Sequence, residues 1–146
     1  VQRDWWTAET KAKFLAAADQ LNKQYDGYCP FTDKCVIGKL TTGENIGDLS
    51  GLAVAYRAYQ LALGGKPAPV IDGYTGAQRF YLGWSQSWRW KYRDNNLRMR
   101  LVTDPHSPAR FRVDGVVTNL EGFYAVFGVD VGDKLYRTPA DRVKIW

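Results

Sequence analysis

Gly43-Glu44-Asn45-Ile46-Gly47-Asp48 is the stretch on which the reading of this chain turns. Residues four apart lie on one face of a helix, so Glu44 and Asp48 point at a common object. The residues that follow are largely apolar. Ile46, Leu49, Ala53 and Tyr56 form one stripe, and Leu52, Ala55 and Tyr59 form a second beside it. Two adjoining stripes predict a buried helix over about residues 44–63. Two like charges inside a protein are costly unless something cationic compensates them. The pair therefore predicts a cation between the carboxylates. The alternative places Glu44 in the first turn for its favourable interaction with the helix dipole, and gives Asp48 an arginine partner.

Gly43, Gly47 and Gly51 stand at the same interval of four and leave one flank of this helix without side chains. Each interior glycine costs roughly 1 kcal/mol against alanine. Close approach by another backbone would compensate that cost; plain helix weakness is the alternative.

Outward from this segment the chain reads as mainly helical. Thr7 caps a first helix that runs to about Asp26, with Phe14, Ala18, Leu21 and Tyr25 on one stripe. Residues 27–43 read as a loop marked by Pro30, Gly38 and Gly43. A connector with Pro67 and Pro69 leads to a third helix from Thr75 through Trp88 to about Tyr92, and a fourth covers Asp94 to about Val102. Residues 104–118 hold two prolines and the alternating pair Phe111 and Val113, and read as a rigid loop with some extended structure. Asn119 caps a short helix over residues 120–127 that Gly128 ends. An irregular tail packed by Tyr136, Ile145 and Trp146 follows.

The 146 residues are the size of one domain, and such a chain buries about 70% of its unfolded surface. Hydrophobic content of 45% and aromatic content of 14% exclude a disordered polymer. No apolar run reaches the ~18 residues of a membrane span. The net charge of +5 allows an anionic partner without demanding one. The start at Val1 rather than Met reads as a processed or cut terminus. Cys29 and Cys35 read either as a bridge closing a short loop, worth roughly 2 kcal/mol, or as buried thiols. The bridge would place the chain in an oxidising compartment.

A catalytic zinc commonly takes three protein ligands, one such set being two histidines and a glutamate. The chain has one histidine, His106, and cannot build that set alone. It can supply the glutamate, Glu44, with Asp48 accepting a hydrogen bond from the far nitrogen of a ligating histidine. His106 lies between Pro105 and Pro108, with Asp104 placed to orient its ring and Arg112 six residues on. A fixed imidazole and guanidinium can stabilise an oxyanion, worth roughly 3 kcal/mol per donor. The alternative is a surface histidine in a proline-rich turn. Residues 84–100 interleave Trp88, Trp90 and Tyr92 with Arg89, Lys91, Arg93, Arg98 and Arg100. That pattern admits a single-stranded nucleic-acid or anion-binding module, or a helix with core aromatics and a solvated basic face.

The segments taken together resemble the C-terminal part of the neprilysin-like zinc endopeptidases. The matching stretches are Asp4-Trp5-Trp6-Thr7; Gly43-Glu44-Asn45-Ile46-Gly47-Asp48 with Gly51-Leu52 and Ala55-Tyr56-Arg57-Ala58-Tyr59; Gln86 with Trp88 and Tyr92-Arg93; Thr103-Asp104-Pro105-His106-Ser107-Pro108 with Phe111-Arg112-Val113; and the final Trp146. The resemblance implies a mainly α chain forming the C-terminal helical lobe of a thermolysin-like zinc peptidase catalytic domain. It implies that Glu44 is the third zinc ligand and that Asp48 orients a zinc-binding histidine. His106, beside Asp104, would stabilise the tetrahedral transition state, and Arg112 would grip a substrate carbonyl. Trp88 and Ser87 would wall the pocket for the residue after the scissile bond, with Ser87 standing where the family has a larger apolar side chain. Alanine is usual where Gly47 stands.

The family's His-Glu-x-x-His helix lies upstream of the Asp-Trp-Trp segment, and the flank at Gly47 and Gly51 is its expected seat. Further expectations are one Zn2+ per intact enzyme, a peptide substrate, no nucleic acid, and the remainder of the same protein as partner. Any membrane contact would run through an anchor outside this chain. The location expected is extracytoplasmic: periplasmic, secreted or surface-anchored. The absence of an Asn-x-Ser/Thr acceptor and the two cysteines suit a bacterial source.

Overall fold

The Thr7 hydroxyl accepts the amide of Thr10, and helix α1 (Ala8–Asp26) starts from that cap. In the computed structural model, which describes residues 3–145, five more α-helices follow. They are α2 (Gly38–Ala62), α3 (Gly76–Ser87), α4 (Asp94–Thr103), α5 (Ala109–Val117) and α6 (Glu121–Phe127), with a 3-10 turn at Pro139–Asp141. Among the described residues the only β pairings are two isolated bridges, Phe31 with Lys34 and Ile71 with Tyr74.

Helix α2 lies against α1 and α5. Leu21 and Tyr25 of α1, Leu49 and Leu52 of α2, and Phe111, Val116 and Val117 of α5 meet in one core, with Tyr81, Leu101, Phe123 and Val143 around it. Gln24 and Tyr25, the polar side chains that α1 sends into this core, are paired, as burial demands. The Tyr25 hydroxyl donates to the Phe111 carbonyl at 3.1 Å, and Gln24 donates to the Gly115 carbonyl at 2.9 Å. Burial pushes the Tyr25 phenol well above its ordinary pKa, so it stays a donor.

Four boundaries differ from the sequence expectation. Helix α2 begins at Gly38, inside the expected loop. Its cap comes from a distance: Asp26, the last residue of α1, accepts the Gly38 amide at 2.7 Å. Gly38 is a contact point and not a loop marker, since a Cβ there would run into the backbone of Asn22. Helix α3 stops at Ser87 and does not reach Tyr92. Trp88 and Tyr92 are drawn off by partners elsewhere: Arg112 lies over the Trp88 ring, and the Tyr92 hydroxyl accepts the Ala109 amide.

Residues 109–117 are the helix α5 and not a rigid loop. Pro108 stands just before its first turn, where a missing N–H costs nothing, so the prolines that argued against a helix position its start. Asn119 caps no helix. It is buried, donates to Gln24 and Gly115, and accepts the Val143 amide at 2.8 Å, which fastens the tail. Gly128, with φ of 65°, ends α6 as expected. Tyr136 and Ile145 pack against the core; Trp146 lies outside the described residues.

The expected burial of α2 holds for its first half only. Beyond Leu52 the helix is exposed except at Tyr56 and Tyr59, which pack on Phe80, with Val54 and Leu61 at 68% and 64%. Within this chain no heavy atom beyond the helix's own backbone comes within 4 Å of a Cβ built at Gly43, Gly47 or Gly51. Cys29 and Cys35 form a disulfide. Its loop is tied to α4 by two hydrogen bonds from Arg98 to Asp33, at 2.8 and 3.0 Å.

The glycines of α2 should answer alanine differently. Gly38→Ala should lower the unfolding free energy by about 2 kcal/mol, because the methyl has no room beside Asn22. Gly47→Ala should cost nothing and gain up to ~1 kcal/mol of helix propensity. Urea denaturation of the two variants checks both.

Candidate functional site

Asn45 does for this site what neither carboxylate beside it can do. It is fully buried. Its amide nitrogen donates to the Thr41 hydroxyl at 2.9 Å, and its oxygen accepts the Ser107 hydroxyl at 2.8 Å. That bond holds the loop between α4 and α5 against α2, which sets His106 opposite Glu44.

The loop carries its own brace. Asp104 Oδ1 accepts the backbone amide of His106 at 2.9 Å and faces its ring Nδ1 at 2.8 Å. Asp104 Oδ2 pairs with Arg100 at 2.6 Å. Burial works against the charge on Asp104, yet the His106 hydrogen bonds and the Arg100 charge hold its carboxyl below the ordinary carboxylate range. His106 Nε2 lies 3.2 Å from Glu44 Oε2. Each ring nitrogen thus faces a carboxylate oxygen.

Arg112 enters from α5. Its guanidinium makes two hydrogen bonds with Asp48, at 2.5 and 2.7 Å, and lies 3.6 Å from Glu44 Oε2. The Arg112 and Asp48 side chains are only 12% and 9% exposed. Burial opposes the Arg112 charge, but Asp48, with smaller help from Glu44 and Tyr25, keeps its pKa above the ordinary value. The guanidinium covers the Trp88 ring at 4.1 Å, and the Trp84 indole donates to the Arg112 carbonyl at 3.3 Å. The Trp88 indole N–H is buried and has no partner among the described residues.

The structure therefore brings Glu44, Asp48, Asp104, His106, Arg112 and Trp88 into one connected cluster. Ser87 stands apart from it. Its hydroxyl donates to the Gly83 carbonyl at 3.1 Å, and its side chain borders a shallow depression with Gly51, Leu52, Phe80 and Trp84. Asn45, Ser107 and Arg100 are cluster members that the sequence reading did not single out. One signal was present: Thr41, Asn45 and Asp48 are polar residues at helical spacing in a helix otherwise apolar on that side.

Glu44 is the member turned outward, at 43% exposed. Among the described residues no three His, Cys, Asp or Glu side chains gather closely enough to hold a metal ion. The donor set fits a contribution of one carboxylate oxygen to a zinc centre and does not fit a complete centre. Of the basic and aromatic residues that admitted nucleic-acid binding, part is engaged within the fold, while Arg89, Trp90, Lys91 and Arg93 are exposed. Arg98 pairs with Asp33, Arg100 with Asp104, and Trp88 with Arg112.

Known proteins are similar to this chain along nearly its whole length. The profile of "Peptidase family M13" matches residues 1–143. Neprilysin-1 of Caenorhabditis elegans is 36% identical over 150 residues, covering 99% of this chain and 20% of that protein. Human endothelin-converting enzyme-like 1 is 33% identical over 146 residues, covering 97% and 18%. The crystal structure of the zinc metalloprotease ZMP1 of Mycobacterium tuberculosis in complex with an inhibitor is similar over 99% of this chain and 23% of its own, with a TM-score of 0.96 and 49% identity. PEPO from Lactobacillus rhamnosis HN001 matches 99% of this chain and 21% of its own, with a TM-score of 0.81 and 33% identity. The chain spans about a fifth of the length of the curated relatives it matches.

Removing Asp48 leaves a buried guanidinium without its main partner. Asp48→Ala should therefore destabilise the protein by about 3 kcal/mol, read as a lowered urea midpoint at unchanged slope. A loss below ~1 kcal/mol would mean that Glu44 and Trp88 suffice to hold Arg112.

Proposed function

The chain belongs to peptidase family M13, and from that membership we propose that it is the C-terminal part of the catalytic domain of a zinc-dependent endopeptidase that hydrolyses oligopeptides. The observation that carries this reading is the meeting of Glu44 with His106 and Arg112 in one cluster, at 3.2 and 3.6 Å. A carboxylate, an imidazole and a guanidinium that converge on one partly open spot are the groups that peptide-bond hydrolysis needs there.

In this reading Glu44 gives one oxygen to zinc, and the two histidine ligands and the general base come from the remainder of the protein. Zinc, when bound, supplies the acidity that activates water and polarises a carbonyl. Each group of this chain has a separate task. His106, held at Nδ1 by Asp104, presents Nε2–H to the oxygen on which negative charge develops. Arg112, fixed by Asp48 and backed by Trp88, donates to a substrate carbonyl. The Asp48 carboxylate has four lone-pair positions, so it can accept from Arg112 and also from a zinc-binding histidine. Trp88 and Ser87 form part of the wall that meets the residue after the scissile bond. The bare flank of α2 at Gly47 and Gly51, open within this chain, is the seat for the helix carrying the histidines.

The disulfide supports an extracytoplasmic location. No helix among the described residues is long and apolar enough to cross a membrane.

Three outcomes test the proposal. The 146 residues alone should cleave no peptide and bind zinc weakly, while the intact protein should be active and chelator-sensitive; chelator-sensitive cleavage by the isolated chain would overturn the assignment. In the intact protein Glu44→Gln should remove zinc, measured as metal content after dialysis. His106→Gln should retain the metal and lower kcat by two to three orders of magnitude, roughly the loss of one oxyanion donor. An unchanged kcat in that variant removes His106 from the mechanism.

A further inference from the structure

Arg100 stands four residues before Asp104, and the ordinary explanation of such a pair is helix stability. The order of the charges argues against it. Asp104 is the C-cap residue of α4, the end at which the helix dipole disfavours an anion. A basic residue N-terminal to an acidic one at this spacing is also the weaker orientation. As a helix stabiliser, the pair has its carboxylate at the wrong end.

The contacts of Asp104 explain it better. Oδ1 alone takes both His106 donors, the backbone amide and Nδ1, at 2.9 and 2.8 Å. A carboxylate rotates over a broad torsional minimum unless its second oxygen is also held. Arg100 holds that oxygen at 2.6 Å. The arginine is itself braced: its guanidinium lies 5.5 Å from the Tyr92 ring, and the Tyr92 hydroxyl accepts the amide of Ala109, the first residue of α5. Arg100 is thus tied to both sides of the loop that carries His106.

We infer that Arg100 is a positioning residue for the peptidase reaction, locking the Asp104 carboxylate so that the His106 imidazole keeps one orientation toward Glu44. It touches neither substrate nor metal and acts through Asp104. The inference rests on the proposed role of His106 in the intact enzyme.

The intact enzyme decides the matter through kcat, KM, zinc content and Tm, measured together. Arg100→Gln should lower kcat about tenfold while KM changes less than about twofold and zinc stays bound. Arg100→Met, uncharged and of similar length, should behave like Arg100→Gln, and Arg100→Lys should recover most of the rate. Because the arginine acts through Asp104, the double variant Arg100→Gln/Asp104→Asn should be no slower than Asp104→Asn alone. Wild-type kcat in Arg100→Gln, full additivity in the double variant, or a kcat loss that follows Tm and not charge across the three substitutions would each overturn the inference. An intact wild-type protein that cleaves no peptide would instead bring down the reading beneath it, and this inference with it.

Discussion

The hydrogen-bonded pair between Asp48 and Arg112 is the interaction on which the cluster depends. It joins α2 to α5 where both helices are buried, and neither side chain can leave without exposing the other's charge to an apolar surrounding. A buried ion pair is weak evidence for stability, since desolvation consumes most of the attraction. Its contribution is geometric. Once Arg112 is fixed, Trp88 has a flat cation to lie against and Glu44 has a cationic neighbour at 3.6 Å. Asn45 and Ser107 repeat the same device a turn away with neutral groups, and the two links together fix the α4–α5 loop relative to α2.

Much of this was legible in the sequence, because the relevant signals are local. A four-residue spacing places Glu44 and Asp48 on one face whatever surrounds the helix, and two prolines stiffen the backbone around His106. The Thr7 cap and the left-handed Gly128 are equally local, and both appear where the residues predict them. The misreadings share one cause, which is a partner distant in sequence. Gly38 looks like a loop residue until Asp26 caps it and Asn22 crowds it. Phe111 and Val113 suggest extended structure until α5 packs against Tyr25. Asn119 looks like a cap until Gln24 and Val143 claim it. The choice between a bound cation and an arginine for Asp48 could not be made from spacing either. Arg112 is 64 positions away, and nothing in the short motif announces it.

The basic, aromatic stretch shows the same dependence at larger scale. By composition, residues 84–100 suit a surface that stacks bases and neutralises phosphates. In the fold several of these side chains work as fasteners, while Arg89, Trp90, Lys91 and Arg93 stay exposed. Arg98 holds the disulfide loop, Arg100 holds Asp104, and Trp88 supports Arg112. Charge and ring counts do not distinguish the two uses; only the identity of each partner does.

The bare ridge of α2 has a geometric consequence. Where a helix presents glycine, the distance to a neighbour is limited by main-chain atoms and no longer by side-chain bulk, so the two axes can come unusually close. Glu44 stands beside that ridge and is short. In the reading proposed above, an element lying along Gly47 and Gly51 would sit close enough for the Glu44 carboxylate to reach groups on it directly. A row of larger residues there would hold the two apart by more than a glutamate can span.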